Sequence, residues 1–84
     1  MPSWRRLRTN RDATHDAITT IEELQRVPSV DQGAGLVLYE LRATVRRGDD
    51  ILFTLNGGPV PSAEKLALID RLTGEVTTRL AAGA

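Results

Sequence analysis

The alternation that runs from Val37 to Leu55 constrains this chain more than any other feature. Apolar side chains recur at every second position along Val37, Tyr39, Leu41, Ala43 and Val45, with Glu40, Arg42, Thr44 and Arg46 between the later ones. Successive side chains of a strand point to opposite faces, so a period of two marks an extended segment with one face turned to a core. The period returns in Ile51, Phe53 and Leu55 after "RRGDD". Gly48 tolerates the backbone of a tight reversal, and Asp49 or Asp50 can accept bonds from nearby amides. The two segments read as an antiparallel hairpin, with a loop of about two to four residues between Arg47 and Asp50.

A two-stranded ribbon is marginal in water unless its apolar face is covered. The flanking segments supply candidate covers. "DATHDAITTIEELQRV" predicts a helix in which Asp12 or Thr14 caps the first turn and Ala17, Ile21 and Leu24, with Ile18 beside them, share one face. Pro28 ends it, and "PSVDQGAG" follows as a connector. Beyond Asn56 and Gly57, Ser62 is a suitable cap for a second helix whose stripe is Leu66, Ile69, Leu72, Val76 and Leu80. Gly74 leaves three readings open: one helix through the tail, a helix stopping near Thr73 with a short third strand over 75–80, or a hairpin turn at "DRLTGEV". The expected fold is therefore a small single α+β domain over residues 12–84, with an N-terminal helix, a β-hairpin and a C-terminal helix.

The chain has 84 residues, enough for one domain that buries roughly 60% of its extended surface. It has no cysteine, which removes disulfides, thiolate nucleophiles and cysteine-ligated metals, and is compatible with the expected cytoplasmic location. No apolar run reaches the roughly 18 residues of a membrane span, and no apolar segment of a secretory signal follows the N-terminal arginines.

Eleven basic and eleven acidic residues cancel, but unevenly along the chain. Arg5, Arg6, Arg8 and Arg11 fall in the first eleven residues, which hold no acidic side chain. Residues 1–11 read as a basic arm on a mildly acidic body. With Trp4 as an aromatic anchor, these five side chains are candidate partner-binding residues for an acidic protein surface or, alternatively, for nucleic acid. Leu36, Leu38 and Leu52 fall on the second face of the hairpin, where leucine is unexpected. They are candidates for a homodimer interface.

A catalytic set is not visible. His15 stands alone beside Asp12 and Asp16, leaving most of a metal shell unfilled. Ser3, Ser29 and Ser62 lack a nucleophile-elbow context, and the Asp49-Asp50 pair sits at a solvated turn with nothing to raise its proton affinity. The glycine pairs lack the further residues of a dinucleotide or phosphate loop. The sequence thus predicts no cofactor and no metal. It points to a non-enzymatic protein–protein interaction module with an accessory role, with nucleic-acid binding and a small enzyme with an interfacial site as the alternatives.

Overall fold

Four extended segments, each paired with its neighbour in the chain, account for more than half of the described residues. The computed structural model describes residues 3–26 and 37–83. Its elements are β1 (Arg5–Asp12), β2 (Ala17–Arg26), β3 (Leu38–Arg47), β4 (Asp50–Pro61), a single 3-10 turn (Ser62–Glu64) and α1 (Lys65–Ala81). The strands form one antiparallel sheet in the order β1-β2-β3-β4. The α+β class holds, but the expected arrangement does not: among the described residues no helix precedes the sheet, and a single α-helix, not two, covers it.

The hairpin forms as its alternation requires. Arg47 pairs with Asp50, leaving Gly48 and Asp49 as a two-residue turn with Gly48 at φ +60°. Leu41, Ala43, Val45 and Leu55 are buried beneath α1. The register then breaks: Val45 pairs with Phe53 but Arg46 pairs with Ile51, so Leu52 is the extra residue of a bulge. This inverts the expected facing of two residues. Ile51, expected in the core, is 64% exposed, while Leu52, expected on the outer face, packs against the core cluster.

Of the segment 12–27, expected as a helix, Asp12 ends β1, residues 13–26 form a turn and strand β2, and residue 27 lies outside the described residues. Ile18, Thr19, Thr20 and Ile21 are four β-branched residues in succession, which lose side-chain freedom in a helix and pack well on a pleated surface. Ala17 and Ile21 are four apart, a spacing that puts them on one side of a helix or of a strand alike. In the strand, the inward positions between and beyond them belong to Thr19 and Glu23, both buried. Leu24 is buried on the opposite face, outside the main core cluster.

The segment expected as a basic arm supplies β1, an edge strand. A bulge between Arg6 and Arg8 lets Leu7 pack against the core while the arginines remain exposed. Arginines along an edge discourage the unpaired backbone from recruiting another strand.

Helix α1 passes through Gly74 to Ala81, which removes the third-strand and hairpin readings of the tail. Leu68, Ile69, Leu72, Val76 and Leu80 make its buried stripe, and Leu66, expected there, is 70% exposed. Gly74 is tolerated because it lies away from that stripe, with nothing within 4 Å of an added Cβ. Ser62 sits in the 3-10 turn and makes no capping bond. Where α1 crosses the sheet, Gly57 lets it approach: a Cβ there would lie 2.8 Å from Leu68 Cδ1. Gly58, at φ +96°, brings β4 so close to β3 that a Cβ would lie 2.6 Å from the Tyr39 carbonyl oxygen.

Candidate functional site

Because α1 occupies one face of the sheet, the other is free of any described element. Directly paired residues on neighbouring strands share a face, so the register gives the composition of this outer face row by row. One row runs Arg6, Glu22, Arg42, Asn56 across all four strands. The next is Thr9, Thr20, Thr44, Thr54, a threonine on every strand. The third is Arg11, Ile18, Arg46, Ile51. The bulges at Leu7/Arg8 and at Leu52 lie between these rows, and each shifts its strand by one residue so that the rows stay aligned at both edges.

Successive rows are about 7 Å apart along the strands, and neighbouring strands about 4.8 Å apart. A line of hydroxyls therefore lies between two lines that each carry a pair of guanidinium groups. Glu22 accepts hydrogen bonds from Arg42 Nη2 at 2.9 Å and Nε at 3.2 Å, and Glu40 accepts one from Arg26 Nε. Both carboxylates of this face are thus neutralised, while Arg6, Arg11 and Arg46 have no ion-pair partner among the described residues. Five guanidinium groups stand against two carboxylates on this face. The 3-10 turn and α1 carry Glu64, Asp70 and Glu75 against Lys65, Arg71 and Arg79, an even balance, so the positive excess belongs to the outer face and is not shared by the helix.

Trp4 immediately precedes β1, and its ring reaches the Arg42 row of the outer face. The Arg42 guanidinium lies over its ring at 4.1 Å from the centroid, a cation–π contact that fixes ring and charge together. Trp4 lines two grooves. One, of about 420 Å³, is completed by Arg6, Thr20, Glu22, Thr44 and Arg46. The other, of about 190 Å³, involves Glu40, Asn56, Gly57 and Gly58.

Of the five residues expected to act as one basic arm, the structure brings Trp4, Arg6 and Arg11 to this face. Arg5 turns to the helix side, where its Nη2 is 3.0 Å from Glu23 Oε2, and Arg8 is exposed beside the β1 bulge. Arg42 and Arg46, from the hairpin, complete the set and were missed because their alignment with β1 runs through β2. Among the expected interface leucines, Leu38 lies half-buried in the Arg26, Leu38, Pro61 row of the outer face, Leu52 belongs to the core, and Leu36 lies outside the described residues.

Two other polar clusters are accounted for by structure. Glu23 is buried on the helix side, with Lys65 Nζ 2.6 Å from its Oε1 but out of hydrogen-bond alignment, and Lys65 also lies 4.2 Å from the Tyr39 ring centroid. This cluster pins the start of α1 to β2 and β3. In the β1–β2 turn, Asp12 accepts the His15 amide at 3.1 Å and contacts His15 Nδ1 at 2.9 Å. The side-chain bond to His15 is the largest influence holding the Asp12 carboxyl below its ordinary value of 3.8, against a smaller opposing effect of burial. Arg47 donates to the carbonyls of His15 and Asp16, tying this turn to the β3–β4 hairpin. No group of three or more histidine, cysteine or acidic side chains that could hold a metal exists among the described residues.

Comparison with family models, with curated proteins and with solved structures finds no match for this chain. The functional reading therefore rests on the geometry of the outer face.

Proposed function

We propose that this protein is a non-enzymatic binding module that holds an acidic partner on the face of its sheet opposite α1. The observation that carries this reading is the register: it aligns Arg6 with Arg42 and Arg11 with Arg46 on either side of a threonine row, with both carboxylates of the face already paired. Such a surface attracts negative charge over several ångströms and offers hydroxyl donors at its centre. Catalysis has no comparable support, since the face presents no candidate nucleophile beside a base and the buried Glu23 is committed to Lys65 and Arg5.

The test is a titration of the full chain with a polyanion and a polycation at low salt, read by the emission of Trp4, the single tryptophan. Heparin shifts the emission saturably and poly-lysine does not. Replacing Arg11 and Arg46 together by glutamine weakens heparin binding by about tenfold or more and leaves the melting temperature near that of the parent. Binding that is absent, or indifferent to those two arginines, removes the outer face as the binding surface.

A further inference from the structure

We infer that the acidic partner is a single-stranded nucleic acid, laid across the threonine row with one base against Trp4. This rests on the reading of the outer face as an acidic-partner site and deepens it by naming the partner's class.

The centre of the outer face is polar and charged. Protein–protein interfaces bury an apolar core depleted in charge. Here the centre is Thr20, Thr44, Glu22 and Arg42, with the Trp4 ring stacked on Arg42, and the aliphatic side chains lie in the outer rows: Ile18 and Ile51 on one side, half-buried Leu38 and buried Leu24 on the other. Such an arrangement does not suit a globular protein surface, but it suits a chain of phosphates, which arginine and threonine bind without needing apolar cover.

The sheet is too broad to enter a duplex groove. Four strands span about 14 Å between their outer axes, and with side chains they are broader than the roughly 12 Å major groove of a duplex, which admits a helix or a two-stranded ribbon. A single strand needs no groove to enter and can follow the surface.

Trp4 adds an aromatic ring to this surface. Proteins that bind single strands combine a basic track with an aromatic platform on which bases stack. The Arg42 guanidinium covers one face of the ring, so a base stacks on the opposite face, and the two grooves that Trp4 lines offer it a place on the sheet surface. Phosphates then reach Arg6 on one side of the threonine row and Arg11 and Arg46 on the other.

The experiment compares three probes of matched charge against the full chain at one low salt concentration: an oligothymidylate of about ten nucleotides, a duplex and poly-glutamate. Each is labelled and followed by anisotropy. The single strand binds about tenfold or more tighter than either other probe and quenches Trp4. Trp4→Leu weakens single-strand binding about tenfold and leaves poly-glutamate binding unchanged. Arg46→Gln, at an exposed position without an ion pair among the described residues, lowers the slope of log affinity against log salt by about 0.7. If the three probes bind equally, or the duplex matches the single strand, this assignment fails while the acidic-partner reading stands. If poly-glutamate binds tightest, the partner is an acidic protein. If none binds, both readings fall together.

Discussion

Replacing Lys65 by methionine should destabilise this fold far more than the same change at Arg5, although both cations pair with one carboxylate. Glu23 is 5% exposed, so its charge depends on the protein for compensation. The Lys65 side chain is 21% exposed and approaches Oε1 at 2.6 Å, whereas that of Arg5 is 74% exposed at 3.0 Å from Oε2. Water screens the Arg5 pair, which places its contribution at or below about 1 kcal/mol. Removing Lys65 leaves a buried carboxylate facing only that screened partner and also removes the cation over Tyr39. Loss of one member of a buried pair costs about 3–5 kcal/mol, which partial exposure of Lys65 reduces to about 2–3 kcal/mol. For a domain of this length, that lowers the melting temperature by roughly 10–20 °C. The double variant Glu23→Leu with Lys65→Met removes the charge together with its partner, and should recover most of the loss. Urea denaturation followed by Trp4 fluorescence and by circular dichroism measures all four proteins. The reasoning is refuted if Arg5→Met costs as much as Lys65→Met, or if the double variant is no more stable than Lys65→Met alone.

Other changes test separate parts of the fold. Gly74→Ala should stabilise the protein by about 0.5–1 kcal/mol, seen as a higher thermal midpoint, because the site is mid-helix with open space around an added Cβ. Phe53 is only half-buried, with Arg79 5.4 Å from its ring centroid, so Phe53→Ala should cost about 1.5–3 kcal/mol in denaturation, below the range for a fully buried phenylalanine. Asp12 has a folded value depressed below 3.8, so it contributes stability above that pH and the contribution is lost as pH falls through the depressed value. Thermal midpoints of Asp12→Asn should accordingly decline less between about pH 4 and pH 2 than those of the parent, and parallel curves would contradict the turn's electrostatics.

The parts of this fold that could be read in sequence are those where one residue type fills one face. Leu41, Ala43, Val45 and Leu55 announce a strand pair, and Ile69, Leu72, Val76 and Leu80 announce a helix face, because their burial is uninterrupted. Strand β2 was concealed because Thr19 and Glu23 occupy two of its inward positions and Leu24 an outward one, leaving Ala17, Ile21 and Leu24 at a helical spacing. Strand β1 was concealed because it is an edge, and Leu7 is its one side chain packed against the core. Ile51 and Leu52 exchanged faces through a bulge that hydrophobic alternation does not announce. The outer face required all three pairings together: Thr9, Thr20, Thr44 and Thr54 are unremarkable in sequence, and only the register sets them in one line.

The meander also orders how this molecule assembles and comes apart. Each strand finds its partner in the segment just before or after it, so no pairing waits for a distant part of the chain, and α1 docks mainly on the two strands that precede it. Low sequence separation of this kind favours rapid folding. It also grades protection along the chain, since β3, β4 and α1 hold most of the buried side chains while β1 is joined to the rest along a single edge. Hydrogen exchange should therefore be slowest in β3 and fastest among the strands in β1. The strand that carries Arg6 and Arg11 to the outer face is thus the one most readily released from it, and a ligand spanning the rows would slow exchange there by linking β1 to β3.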